Sequence, residues 1–589
     1  MRGLALAAAL ATLASSQVAR ADCKLGIIAT LPVTMDFGSP VIEAKINGVA
    51  VRFITDSGAF FSVISPGVAN ELHLRLQPGP FGMYMKGIGG STSDIEVADI
   101  KSFSLGNVSN FHAEFAVAGS EAGPGLAGLI GRNILTLADV EYDLADGVIR
   151  LVEPKGCGRL TLAYWIKPDQ SYGEVDMEPE DDGPRSQVFR PPIRATASVN
   201  GKRIVVEFDS GARGSMLSLA AARRLGLDPN AQGVVPAGQI AGVGRHRVRS
   251  WIAPVDDFGI GGENVQHTRL RIGDFELDDA DMLIGDDFLL SHRVYIANSQ
   301  HKIYFTYNGG PVFMLEVSPA EPAAVAAGPE PTDAAGFARR AAARAARRNL
   351  AGAKSDYSKA MTLDAKVADY PLGRGTVERE AGDNRSAMAD LDRALALDPN
   401  SLRGRLERAS LRLEADDDTG ALVDLDAADK MLPGGAHERL ILADLYLSVG
   451  APDRAAPAFD AWVKAHPEDN NMASALAGRC FANALVGDRL EQAKADCEKS
   501  RRLVHGEVLA FEGRGYARLR LGDLDGAIGD FTALLNVRKT APWALWGRGL
   551  AEEKKGQVTQ AKADFTAARA ARPGIEKEAE RFGLGAPKT

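Results

Sequence analysis

The chain has 589 residues, 45% hydrophobic and 25% charged, enough for several ordinary globular domains of roughly 150 residues each. Its 68 Lys and Arg against 77 Asp and Glu give a net charge of −9, and no basic run is interleaved with aromatics, which argues against nucleic acid as a partner. The nine histidines form no HExxH and no pair at helical ligand spacing, and the cysteines form no CxxC, so neither a metal nor a cofactor is expected.

Residues 1–21 read as an export signal: Arg2 is basic, Leu4 to Ala14 is apolar, and Ala19-Arg20-Ala21 fits a small-x-small cleavage site. The apolar stretch is shorter than the ~20 residues that span a bilayer, and no other segment is apolar enough to do so. The mature chain is expected to start near Asp22 and to be periplasmic or secreted. Four cysteines in such a chain are expected to pair, with the connectivity left open; Cys23 and Cys157 bracket the first candidate domain, and Cys480 and Cys497 lie in the helical region.

A long repeat follows, in two copies. The first, in residues 22–155, runs Ile46-Asn-Gly-Val-Ala-Val-Arg-Phe-Ile-Thr-Asp56-Ser-Gly-Ala with Ser62 beyond. The second, in residues 189–310, runs Val199-Asn-Gly-Lys-Arg-Ile-Val-Val-Glu-Phe-Asp209-Ser-Gly-Ala with Ser215 at the same offset. Each Asn-Gly predicts a two-residue hairpin turn. Gly-rich tips come next (Gly87-Ile-Gly89-Gly90 and Gly242-Val-Gly244), then Leu129-Ile130-Gly131 and Leu283-Ile284-Gly285, then a closing β-rich stretch. So many features in one order predict a duplicated all-β lobe. Residues 156–188 read as an acidic surface linker and 311–333 as a Pro/Ala-rich spacer that few contacts should cross.

From 334 to 589 the period changes to 34 residues. Ala353, Ala387 and Ala421 advance in that step, and after a slip of four the phase resumes at Ala493, Ala527 and Ala561. An aromatic or Leu stands four residues after most of them (Tyr357, Leu391, Leu425, Phe459, Phe531, Phe565), and Pro399, Pro433, Pro467 and Pro573 punctuate the ends. This helix-turn-helix period resembles the tetratricopeptide repeat, in about seven copies, whose surface would dock a protein.

The paired Asp-Ser-Gly-Ala elements, with their matching Leu-Ile-Gly, resemble the retropepsin-like aspartic proteases, specifically the bacterial aspartyl-protease-like domains that accompany tetratricopeptide repeats. The resemblance implies two pepsin-like lobes and a peptide or protein substrate cut by a water held between Asp56 and Asp209. It gives Ser57 and Ser210 the role of bracing opposite loops and Gly58 and Gly211 that of a tight turn. Gly131 and Gly285 would pack behind these loops, and Gly87, Gly89, Gly90, Gly242 and Gly244 would sit in flap-like hairpins. The dyad forms within one chain or by dimerisation. A non-catalytic binding scaffold built on the same lobes is the competing reading. Ser62 and Ser215 are expected to be local hydrogen-bond formers, and Asp139, Asp143, Asp286 and Asp287 turn or surface residues.

Overall fold

In each lobe an Asn-Gly pair closes the first hairpin, because both central residues of such a turn take positive φ: 50° and 87° at Asn47 and Gly48, 49° and 69° at Asn200 and Gly201. The computed structural model describes residues 23–36, 38–80, 85–87, 90–92, 95–118, 123–167, 169–178, 192–240, 242, 247–313, 330–467, 469–504 and 507–585. The export segment, Gly89, Gly244, residues 179–188 of the first linker and most of the second linker lie outside them.

The turns set Ile46 opposite Val49 and Val199 opposite Lys202. With the alternation of a strand, that register turns Phe53 and Phe208 inward, where both are fully buried. The second strand of each hairpin, Val49–Thr55 or Lys202–Phe208, then runs parallel to a short strand from much later in the chain, Gly128–Ile130 or Met282–Ile284.

One sheet joins the lobes. Six of its 13 strands, in order from one edge, are Gly173–Asp176, Lys302–Tyr307, His292–Ala297, Asp139–Asp143, Val148–Lys155 and Lys24–Asp36. At the central seam, Val140 of lobe 1 lies opposite Ile296 of lobe 2, and Tyr142 opposite Val294. Glu141, wholly buried, accepts hydrogen bonds from Arg150 at 2.6 Å, from Arg293 at 2.5 and 2.9 Å, and from the Tyr164 hydroxyl at 2.8 Å. Arg293 also lies over the Trp165 ring, 4.3 Å from its centroid.

Asp139 and Asp143 are buried in this seam, which corrects their assignment as turn or surface residues. Asp139 accepts from the backbone N–H and hydroxyl of Ser299, both at 2.8 Å. Asp143 sits 3.4 Å from Arg293, and burial lifts its carboxyl to about 6. Their strand is covered only because a strand of the other lobe pairs with it. Residues 156–178 likewise differ from a plain surface linker. Cys157 is disulfide-bonded to Cys23, the Trp165 indole N–H donates to the Thr306 hydroxyl at 2.9 Å, and Gly173–Asp176 is the edge strand of the shared sheet.

Beyond residue 333, helices from Ala334–Ala346 to Val558–Ala571 pack in seven pairs, with Ile575–Arg581 closing the array. Ala353, Ala387, Ala421, Ala493 and Ala527 are fully buried where neighbouring helices approach. Cys480 and Cys497 form a disulfide between the two helices of the fifth pair. A second periodic signal, absent from the alanine and aromatic pattern, is a ladder of two-pronged ion pairs: Arg340–Asp356, Arg374–Asp390, Arg408–Asp424, Arg514–Asp530 and Arg548–Asp564, each spanning 16 residues. Arg479–Asp496 spans 17. In the fourth repeat Leu442 and Ala458 stand in these places.

The solenoid is not merely tethered to the lobes. Ala342 and Ala343 of its first helix belong to the lobes' apolar core, and a Cβ on Gly147 would lie 2.6 Å from that of Arg339. Arg347 donates to the Gly309 carbonyl. Farther along, Arg403 donates at 3.2 Å to Asp36, a buried carboxylate that Arg52 also holds at 2.5 Å. Arg247 of lobe 2 donates to Asn471 at 3.1 Å. Contacts therefore do cross the spacer, because a helix with small residues on one face can seat directly on a sheet.

Two outcomes are expected. Glu141→Leu leaves Arg150 and Arg293 only the more distant Asp143, at 3.7 and 3.4 Å, and breaking a buried pair costs about 3 kcal/mol; the urea midpoint of the lobe transition should fall accordingly. A chain ended at residue 313 should also melt below one ended at residue 348, which keeps the first solenoid helix. Equal melting temperatures would show that burial of Ala342 and Ala343 contributes nothing.

Candidate functional site

Asp56 and Asp209 each stand one residue past the end of a hairpin strand, and the parallel partner strand fixes them there. Their backbone N–H groups donate to Ile130 O and Ile284 O, both at 2.9 Å. The loops that follow turn back on their own carboxyls: Ala59 N–H donates to Asp56 Oδ1 at 2.7 Å, and Gly211 N–H to Asp209 Oδ1 at 2.8 Å. The two carboxyls approach each other across the lobe boundary, each lying in the space left by the glycine of the opposite loop, Gly58 beside Asp209 and Gly211 beside Asp56. Each is densely surrounded but keeps a partly open face.

Burial raises Asp56 well above the ordinary aspartate range, and the charge of Asp209 raises it further. Burial raises Asp209 too, offset by the Gly211 N–H and by the hydrogen bond from Asp56. Two carboxyls so placed cannot both ionise easily and share one proton.

Ser57 and Ser210 lock the two loops reciprocally. The Ser57 hydroxyl donates to Phe208 O at 2.9 Å and accepts from Ser210 N–H at 3.0 Å; the Ser210 hydroxyl donates to Thr55 O at 2.9 Å and accepts from Ser57 N–H at 3.0 Å. Beneath them, the Tyr142 hydroxyl faces both serines without a well-aligned hydrogen bond. A Cβ on Gly58 would collide with the Asp209 carboxyl, and one on Gly211 with that of Asp56. Gly131 and Gly285 back these loops: a Cβ there would lie 2.7 Å from Phe61 C and 2.6 Å from Ala212 O.

Ser62 and Ser215 are buried braces rather than part of the dyad. Each hydroxyl accepts from the N–H of the backing glycine, at 2.9 Å for Gly131 and 3.0 Å for Gly285. Each then donates to the residue two beyond that glycine: Asn133 Oδ1 at 2.8 Å, Asp287 Oδ1 at 2.6 Å. Asp287 is therefore a buried structural acceptor, lifted by burial to about 6, and not a surface residue. Asp286 is also fully buried, and neither of its carboxyl oxygens has a hydrogen-bond partner among the described residues. Its counterpart in lobe 1 is Arg132, which donates to Ser57 O at 3.3 Å and lies 3.6 Å from Glu207. Neither Asn133 nor Arg132 was singled out in the sequence. The closely matched offsets of Ser62–Asn133 and Ser215–Asp287, 71 and 72 residues, were the available signal.

The expected flap elements fall on hairpins. Met85–Gly87 pairs with Gly90–Thr92, Gly87 opposite Gly90. In lobe 2, Val235–Ile240 pairs with Val248–Ile260, and Gly242 lies just past Ile240. Among the described residues no group of His, Cys, Asp and Glu could hold a metal ion, and no helix is long and apolar enough to cross a membrane.

Comparison with known families agrees with this duplication: the aspartyl protease model matches residues 42–134 and again 195–288. Each lobe matches the aspartyl protease family. No curated protein matches the chain. Among solved structures, a tetratricopeptide repeat protein from Parabacteroides merdae aligns over 42% of this chain and 96% of its own, at 17% identity and a TM-score of 0.32. YrrB, described as a tetratricopeptide protein with an unusual peptide-binding site, aligns over 38% and 97%, at 14% identity and a TM-score of 0.22. The two aspartyl protease-like lobes are thus followed by a tetratricopeptide-type solenoid, whose assignment rests on its own helix pairs and 34-residue period.

The serine exchange is expected to act as a unit. Ser57→Ala leaves Phe208 O and Ser210 N–H without a partner, at about 2 kcal/mol, and Ser210→Ala should cost the same. The double variant should lose less than the sum, since residues in one hydrogen-bonded network couple. Chemical unfolding of the three variants measures this, and strict additivity would show that the hydroxyls act independently.

Proposed function

We propose that the chain is an exported aspartic endopeptidase, hydrolysing peptide bonds with a water activated between Asp56 and Asp209, while its solenoid docks a protein partner. The observation that carries this reading is the approach of two carboxyls contributed by one polypeptide, each seated against the glycine of the opposite loop. One carboxyl, ionised, takes a proton from the water as it attacks the scissile carbonyl. The other, protonated, supplies a proton to the carbonyl oxygen, and the pair then delivers one to the leaving amine. A hairpin in each lobe would cover an extended substrate.

Export near Ala21 is part of the same reading. The two disulfides, Cys23–Cys157 and Cys480–Cys497, favour it, because such bonds persist in oxidising compartments. The mature chain recovered from cells should begin near Asp22 in the periplasmic or secreted fraction; an intact N-terminus in the cytoplasm would oppose export.

Asp56→Asn and Asp209→Asn should each abolish cleavage of a peptide library by the mature chain, because Asn can neither ionise nor carry the shared proton. Wild-type activity should fall as pH rises and the shared proton is lost. The same shift has a stability sign: a carboxyl raised by folding stabilises fully below its unfolded pKa, and that contribution is lost as pH rises through the folded value. Unfolding midpoints of Asp56→Asn and wild type should therefore converge in acid and separate as pH rises, with the variant the more stable. Cleavage that survives either substitution would overturn the dyad.

A further inference from the structure

The lobes share a frame around the two aspartates but diverge immediately after it. Lobe 1 continues Asp56-Ser-Gly-Ala-Phe60-Phe61, and lobe 2 continues Asp209-Ser-Gly-Ala-Arg213-Gly214. These positions are equivalent because Ala59 O and Ala212 O accept from matching N–H groups, Arg132 at 2.9 Å and Asp286 at 2.8 Å. The loops bearing the dyad therefore present an aromatic pair on one side and a cation with an empty position on the other.

On the lobe 1 side, the Phe60 and Phe61 rings stand 6.1 Å apart. Phe61 and Met85, the latter at the foot of the flap hairpin, both pack against the apolar cluster of Val63, Ile95, Ala116 and Ala118, so this wall is apolar up to the cover. On the lobe 2 side, Gly214 leaves the place of Phe61 vacant, and the nearest atom to a Cβ there is Asp287 Oδ2 at 3.5 Å. Arg213 is exposed, and its stem approaches Gly38 of lobe 1, 3.7 Å from where a Cβ would lie. It thus stands in the gap between the lobes, four residues from Asp209. No carboxylate forms an ion pair with it among the described residues; Asp287 is committed to Ser215, and the buried Asp286 feels the Arg213 charge only at a distance. An exposed guanidinium with no carboxylate partner, next to a glycine that offers no side chain, is suited to a carboxylate from outside the chain.

We propose that Arg213 is a specificity-determining residue, so that the cleft selects peptides with a Glu or Asp side chain on the lobe 2 side and an aromatic or aliphatic one on the lobe 1 side. This rests on the peptidase reading for turnover, but the selection itself concerns binding. A partly exposed ion pair with charge-assisted hydrogen bonds contributes about 1 kcal/mol, roughly fivefold in affinity.

The test uses full-length mature protein at a pH of about 5.5, above the ordinary carboxyl range. Matched peptides that differ only in Glu, Gln or Lys flanking an apolar residue are compared for kcat/KM on wild type, Arg213→Gln and Arg213→Glu. Fluorescence anisotropy of labelled, uncut peptides on the Asp56→Asn variant, with and without Arg213→Gln, reads binding alone. Wild type should prefer the Glu peptide over Gln by about fivefold, less at high salt. Arg213→Gln should erase the preference and Arg213→Glu should shift it toward Lys. Acid-selective binding without cleavage would retain this proposal while overturning the peptidase reading. Equal use or binding of Glu and Gln peptides, or a preference that survives Arg213→Gln, would overturn the proposal.

Discussion

Two carboxyls brought face to face repel one another once both ionise, and the structure around Asp56 and Asp209 is organised to keep them there. Side-chain packing alone would let them relax apart. The restraint comes from backbone: parallel strand pairs that fix Thr55 and Phe208, serine hydroxyls that cross between the loops, and glycines whose missing Cβ atoms leave room for the opposite carboxyl. The lobe seam extends the same restraint over a longer lever, since Val140–Ile296 pairing and the Glu141–Arg293 ion pair prevent one lobe from sliding past the other.

Duplication preserved that backbone frame and released the side chains next to it. Where the frame needs an acceptor for a serine hydroxyl, Asn133 and Asp287 serve equally well. Where it needs only a backbone N–H, lobe 1 has Arg132 and lobe 2 has Asp286, side chains of opposite charge. Glu207 occupies the place of Ile54 and pairs with Arg132 of the other lobe, so this divergence is partly compensated across the boundary. The remaining differences are Phe60 and Phe61, the second packed on an apolar cluster of lobe 1, against an exposed Arg213 beside Gly38 of the other lobe and a bare Gly214.

The solenoid adds a rigid third body. Its Arg–Asp ladder ties the helices of nearly every repeat at one fixed spacing, and Arg408 and Arg479 also reach carboxylates of the preceding repeat, Asp392 and Asp460. With its first helix seated in the lobes' core, and Arg403 held on the buried Asp36, the array is anchored to the lobes at more than one place.

The sequence by itself determined the elements whose physics is local. Asn-Gly can close only a tight hairpin, the alternation after it can bury only one face, and alanines at a 34-residue step can pack only as paired helices. Because both copies kept Asp-Ser-Gly-Ala and Leu-Ile-Gly in one order, the two aspartates and their serines and glycines were legible too. Which acids are buried was not legible: Asp139 and Asp143 have the local sequence of a turn, and only pairing with His292–Ala297 of the other lobe covers them. The seating of Ala342 and Ala343 on the lobes was hidden for a related reason, since an alanine-rich helix face fits a neighbouring helix or a sheet equally well. Tertiary structure alone decided that the two carboxyls meet within one chain, because that contact depends on a strand register between residues more than a hundred positions apart, which no local pattern encodes.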